Sequence, residues 1–148
     1  MAHLEKPADM PAQWLKRMNS RATEAHHLGV YIDKLLRERR SLVAARTSMN
    51  QREERLKGQQ GVLAEKRRGK LTKDRQEWQR KVNAAKASLQ RAETRFDALL
   101  TAIEKLSAAY TAAGSPRMSV DNAKRYRVLK DAPFGMNDKM KQLRAIEL

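Results

Sequence analysis

The stretch that decides the fold is residues 71–113, which reads LTKDRQEWQRKVNAAKASLQRAETRFDALLTAIEKLSAAYTAA. Alternating steps of four and three residues from Leu71 reach thirteen positions, of which only Arg75 is charged. A seven-residue repeat of this kind keeps one apolar stripe directed at a partner helix, whereas a strand would alternate with a period of two. The predicted helix-pairing seam contains Leu71, Trp78, Val82, Leu89, Phe96, Leu99, Ile103, Leu106 and Tyr110.

A second and weaker apolar stripe precedes it, in residues 15–56. Its second half places Arg39, Arg46 and Glu53 at stripe positions. A charge at a seam position costs stability unless the side-chain stem lies along apolar surface and the charged group reaches water. Two interpretations of the seam arginines stay open: they set the register of the helices, or they face an external ligand.

Three of the six glycines lie in residues 57–70, where we place the turn. Helices over residues 15–56 and 72–113 would have equal lengths on either side of it, which predicts a long antiparallel two-helix coiled-coil hairpin. An alternative has the turn only at residues 58–61 and the second helix from about Val62, because a long helix tolerates one glycine, here Gly69, at about 1 kcal/mol. Pairing of two chains through residues 71–113 is also compatible with the pattern.

We expect the chain to be all-α in fold class. Its two ends are expected to be less regular than the long helices. Residues 1–12 contain Pro7 and Pro11 and read as an N-terminal arm, followed by the helical hairpin over residues 13–113. The remaining residues, 114–148, form a C-terminal tail with two short helices. Ser119 caps the first of them, and Pro133 separates it from the second.

The charge of the chain predicts an acidic partner. Its 148 residues carry a net charge of +15 at neutral pH, with 32 Lys and Arg against 17 Asp and Glu. A solvated rod gains only solubility from this excess and suffers self-repulsion, whereas RNA, an anionic membrane surface or an acidic protein lattice would offset it. We expect RNA first and an acidic protein lattice second.

Two basic clusters are the candidate binding residues. Residues 57–70 contain a single acidic residue, and their basic residues are Lys57, Lys66, Arg67, Arg68 and Lys70. A cationic turn suits phosphate contacts, although loops are in general polar and often charged. The second cluster surrounds Tyr126 and contains Lys124, Arg125, Arg127 and Lys130. Tyr126 could stack on an exposed base, but we favour its docking onto the long helices and assign binding to the basic residues.

Catalytic chemistry is not expected. The chain has no cysteine, no phosphate-binding loop and no nucleophile motif. His26 and His27 are adjacent, so they diverge by about 100° on a helix and are poorly placed to share a metal. The sequence predicts neither a cofactor, nor a metal, nor a transmembrane segment. We therefore expect a protein that is not an enzyme.

Three classes of function remain. The first is a structural or assembly component of a ribonucleoprotein, of the ribosomal or organellar-ribosomal type. The second is a helical brace on an acidic protein lattice or large protein complex, such as a microtubule or flagellar component or an accessory subunit. The third is the stalk of a secretion-type export apparatus, a family that the chain is similar to as a short, basic, cysteine-free hairpin. All three predict a subunit of a hetero-complex inside the cell, in the cytoplasm or an organelle matrix.

Overall fold

The computed structural model describes residues 10–148, and in that range it contains three α-helices and no strand. The helices are α1 (Ala12–Leu56), α2 (Val62–Ala112) and α3 (Val120–Ala145). The predicted all-α class is therefore confirmed. Residues 1–9, most of the predicted N-terminal arm, lie outside the described residues.

The connection between α1 and α2 is the shorter of the two predicted turns. Gly58 and Gly61 have φ angles of +77° and +108°, which side chains with a Cβ rarely adopt. α2 therefore begins at Val62, and the predicted start at residue 72 was wrong. The part of α2 that precedes residue 72 is stabilised because Ala64 and Leu71 are both buried. The free energy gained from this burial outweighs the cost of the weak helix propensity of Gly69.

Two local signals delimit the connection between α2 and α3. Gly114 adopts a φ of +83°, and the Ser115 amide bonds back to the Tyr110 carbonyl oxygen at 3.0 Å, which closes the end of α2. The Ser119 hydroxyl oxygen accepts a hydrogen bond from the Asn122 amide at 3.2 Å. Ser119 thus caps α3, as predicted.

The predicted pair of short C-terminal helices was wrong, because α3 continues through Pro133 to Ala145 as one helix of 26 residues. An apolar stripe on both sides of the proline explains the continuity. Its members are Leu129, Met136, Met140 and Leu143, all buried. Burying four such side chains contributes about 1.5–3 kcal/mol each, which exceeds the roughly 3 kcal/mol that a proline costs inside a helix.

Replacing Pro133 with alanine should therefore stabilise the protein. The substitution restores an amide donor opposite the Leu129 carbonyl and removes the ring from the preceding turn, so we expect the free energy of unfolding to rise by about 2 kcal/mol. Chemical denaturation followed by circular dichroism measures the change. Gly135→Ala is the companion variant, since its added methyl meets nothing within 4 Å and should contribute about 0.5–1 kcal/mol. A Pro133→Ala protein no more stable than the wild type would contradict this account.

The chain divides into two compact units. The first combines residues up to Ile32 with Ala92–Met140. Its core includes fully buried side chains from all three helices: Met18, Leu28, Ile32, Leu99, Leu129 and Met140. α1 and α2 pack closely in this unit. The indole Nε1 of Trp14 donates a hydrogen bond to the Leu106 carbonyl oxygen at 3.1 Å, and the Arg95 guanidinium lies 5.4 Å from the centre of the Tyr31 ring.

The second unit combines Asp33–Arg91 with Lys141–Leu148. It contains two small apolar clusters, one of Leu42, Val82 and Ala85 and one of Met49, Leu56 and Leu71, and Trp78 packs against both. Trp78 Nε1 also donates to the Leu42 carbonyl oxygen at 2.8 Å, and Arg52 pairs with Asp74 at 2.7 Å. Later residues of α1 thus meet earlier residues of α2 in this unit.

Candidate nucleic-acid interface

The predicted cationic cluster at the α1–α2 turn separates into two groups in the structure. Lys57 and Arg68 serve the protein itself. Lys57 pairs with Glu54 at 2.9 Å, and that hydrogen bond and the charge of the carboxylate raise the pKa of Lys57. Arg68 donates to the carbonyl oxygens of Leu56, at 3.0 Å, and of Gln59, so that it closes the turn. Neither side chain is fully available to a partner.

The other three predicted residues, Lys66, Arg67 and Lys70, are exposed and have no partner among the described residues. Lys73 joins them, because positions 66, 70 and 73 are spaced by four and three residues and lie on one side of α2. We call Lys66, Arg67, Lys70 and Lys73 the basic face. Sequence reasoning missed Lys73, although its helical spacing from Lys66 and Lys70 was the signal that could have identified it.

The carboxylates around the basic face are already engaged by arginines. Glu65 lies 3.6 Å from Arg68, and Asp74 lies 2.7 Å from Arg52 of α1. Further along α2, Glu77 pairs with Arg80 at 3.1 Å. Within the described residues, the carboxylates that neighbour the basic face along α2 therefore already pair with arginines rather than with its cations.

The second predicted cluster, on α3, also separates into structural and exposed residues. Tyr126 is buried, with its ring centre 5.1 Å from that of Trp14 and 5.4 Å from that of Tyr110. The preferred interpretation, that Tyr126 docks onto the long helices, is confirmed, and its ring is not exposed for stacking on a base. The Nζ atom of Lys130 lies 4.9 Å from the centre of the Tyr126 ring.

The remaining basic residues of this cluster differ in their availability. Arg125 donates to the Asn19 side-chain oxygen at 3.1 Å, in the first unit. Lys124 and Arg127 are exposed, and neither has a partner in the range 10–148. This cluster therefore offers two available cations, compared with four on the basic face.

The predicted seam residues are turned away from solvent. In the second unit Leu71 and Val82 are buried, and Trp78 and Leu89 are half-buried. In the first unit Tyr110 is half-buried, and the other predicted members are buried: Phe96, Leu99, Ile103 and Leu106.

The seam arginines of α1 bind the chain itself. Arg39 is only 5 % exposed and donates to the carbonyl oxygens of Leu143 and Ile146, at 3.3 and 3.2 Å. Arg46 donates to the Glu147 carbonyl oxygen at 3.2 Å. Cations at a helix C-terminus are favoured because carbonyl oxygens there lack intrahelical donors. Both arginines thus anchor the chain at the end of α3, a role that differs from the two interpretations left open. Arg39 is buried and does not face an external ligand, and the register role stays a prediction.

A groove of the second unit, about 850 Å³ in volume, lies between α1 and α2 and has Leu42, Met49 and Trp78 in its lining. It contains serines but no histidine, and each of its three carboxylates, Glu38, Asp74 and Glu77, pairs with a basic residue. Residues 10–148 contain no group of three or more potential metal ligands among His, Cys, Asp and Glu. None of the helices described is long and apolar enough to cross a membrane.

No protein-family model, curated protein or solved structure matches this chain. The surface chemistry of the chain itself is thus the guide to its partner. Two features stand out: the basic face of α2, and the exposed pair Lys124 and Arg127 on α3. Both present positive charge without an aromatic side chain at their centre, which suits contact with phosphate groups more than reading of bases.

Proposed function

We propose that this protein is a non-enzymatic structural or assembly component of a ribonucleoprotein, and that it contacts RNA phosphates through the basic face. The observation that carries the proposal is the combination of four exposed cations, which have no partner within residues 10–148, with neighbouring carboxylates that are already bound to arginines. The cations repel one another on one side of a helix, and an anionic partner relieves this repulsion.

The expected contact is ionic and independent of sequence. Lysine and arginine neutralise phosphates and release counterions, which makes the affinity fall steeply with salt. Burial of Tyr126 removes the aromatic ring that could have stacked on a base beside Lys124 and Arg127. Those two residues therefore supply a second, weaker phosphate contact in the proposal.

The proposal includes the finer architecture that the heptad pattern predicts, a long antiparallel coiled-coil hairpin of α1 and α2. The close packing of these helices within each unit supports it locally. Such a component would belong to a hetero-complex in a compartment that contains RNA, the cytoplasm or an organelle matrix. The competing partner is an acidic protein lattice.

The test is the salt dependence of RNA binding. Structured RNA is titrated at several salt concentrations with the wild type and with a variant that carries Lys66→Gln, Arg67→Gln, Lys70→Gln and Lys73→Gln. Each lost phosphate contact reduces the slope of log K against log salt by about 0.7–0.9, so four reduce it by about 3. Fluorescence anisotropy measures the binding, and circular dichroism checks that the helices are retained.

A matched control changes four exposed cations elsewhere, Lys16, Arg17, Lys86 and Lys105, to glutamine. It has the same net charge as the test variant, so an equal loss of slope in both would refute the basic face as the contact. Binding to RNA no stronger than to an acidic protein such as tubulin would refute the RNA proposal. Co-purification that survives nuclease treatment would favour the protein lattice instead.

A further inference from the structure

Two large aliphatic side chains lie exposed at the start of α2, next to the basic face. Val62 is 82 % exposed and Leu63 is 60 % exposed. Neither belongs to the apolar clusters of the second unit, where Ala64 is the first buried residue of the helix. Aliphatic side chains make no favourable contact with phosphate groups, so phosphate binding does not explain the exposure of Val62 and Leu63. Their exposure indicates that the partner at this turn also has an apolar part.

The arrangement does not fit a helix that docks in a protein groove. Such helices present apolar anchors at spacings of three, four and seven residues. The positions four, seven and eight residues after Val62 are Lys66, Gly69 and Lys70. The apolar surface is therefore confined to the first turn of α2, and cations follow it directly.

An anionic lipid bilayer accepts an exposed surface of this composition. Interfacial proteins place short apolar side chains at the boundary between headgroups and acyl chains, and lysines and arginines contact the lipid phosphates. A bilayer needs no shaped pocket for the apolar side chains, whereas a protein partner does.

We propose that the α1–α2 turn binds the surface of an anionic membrane. Val62 and Leu63 enter the interfacial region, and Lys66, Arg67 and Lys70 contact the lipid phosphates. The contact is peripheral and reversible, because two aliphatic side chains and a few cations hold a protein at a bilayer only weakly. This inference goes beyond RNA binding, although both ligands offer phosphate to the same cations.

The experiment is co-sedimentation of the full chain with two kinds of vesicle. One contains phosphatidylcholine alone, and the other contains equal parts of phosphatidylcholine and phosphatidylglycerol. The wild type should bind only the anionic vesicles, and the double variant Val62→Ser, Leu63→Ser should bind them about tenfold more weakly. Both changes are at exposed sites, so helix content by circular dichroism should not change.

The matched control is Val120→Ser, Val128→Ser, which removes two valines of α3 that are 85 % and 60 % exposed. It should bind anionic vesicles as the wild type does. An equal loss of vesicle binding in both double variants would overturn the proposal. So would a Val62→Ser, Leu63→Ser protein that binds anionic vesicles as tightly as the wild type, since the chain would then adsorb by charge alone. If the wild type bound vesicles of phosphatidylcholine alone as tightly as the anionic vesicles, the proposal that the membrane partner is anionic would be wrong.

The same double variants, titrated with RNA, separate this inference from the proposed function. Val62→Ser, Leu63→Ser should leave RNA affinity unchanged, because the aliphatic side chains make no phosphate contact. RNA binding without vesicle binding would overturn the membrane proposal alone. Vesicle binding without RNA binding would support it and overturn the RNA proposal.

Discussion

Replacing Trp14 with alanine is expected to lower the free energy of unfolding by about 3–5 kcal/mol, the range for truncating a buried aromatic side chain. Trp14 is only 6 % exposed, and its ring centre lies 5.8 Å from that of Tyr110 and 5.1 Å from that of Tyr126. One side chain of α1 thus joins α2 and α3 in the first unit. Its loss removes apolar burial, two aromatic contacts and the hydrogen bond to the Leu106 carbonyl oxygen.

Trp14→Phe separates the ring from its hydrogen bond. Phenylalanine keeps much of the apolar burial but has no N–H donor, so we expect a smaller loss of about 1–2 kcal/mol. Urea denaturation followed by circular dichroism measures both variants. Val128→Ala, at a site 60 % exposed, is the surface control and should change the free energy of unfolding by less than about 0.5 kcal/mol. A Trp14→Ala effect as small as that of the control would show that the aromatic cluster does not hold the unit together.

The second large effect is expected at Arg39. Arg39→Met keeps the length of the side chain and its apolar stem but removes the donors to the Leu143 and Ile146 carbonyl oxygens. Hydrogen bonds from a charged donor contribute about 1.5–3 kcal/mol, so we expect the free energy of unfolding to fall by about 2–4 kcal/mol. Amide hydrogen exchange should accelerate most in residues 141–148, whose backbone Arg39 anchors.

Arg37→Met provides the control for the loss of one charge. Arg37 is exposed and has no partner in the described part of the chain, so its replacement should leave both the stability and the exchange rates unchanged. Buried charged groups can sometimes be replaced by apolar side chains without loss. A stable Arg39→Met protein with unchanged exchange in residues 141–148 would place Arg39 in that class and contradict the anchoring role.

The helices themselves could be predicted because their signals are local. The heptad spacing from Leu71 to Tyr110 predicted which side of α2 is covered, and the side chains at those positions are buried or half-buried. Ser119 and Gly114 likewise marked helix ends through bonds to residues a few positions away. Pro133 was misinterpreted because its local cost is smaller than the gain from burying residues on both sides of it, and that gain depends on what α3 packs against.

The candidate interface was only partly predictable. A count of charges located the cationic turn. Charge alone does not distinguish a basic side chain that is exposed and unpaired from one that already pairs with another group of the protein. The structure assigned Arg68 to carbonyl oxygens of the turn and Lys57 to Glu54, and it added Lys73 to the exposed set. It also showed Val62 and Leu63 as exposed side chains, whereas a helix beginning at residue 72 would have placed them within the turn.

The amino-acid sequence by itself determined the all-helical class, the apolar face of α2 and the surplus of positive charge, because periodicity, caps and charge depend on residues within a turn or two of one another. Only the tertiary structure decided the partners of Arg39 and the burial of Tyr126. The atoms involved lie about a hundred residues apart in the chain, as in the bond from Arg39 to the Leu143 carbonyl oxygen. Contacts over such a separation form only after the helices have packed, so local patterns do not specify them.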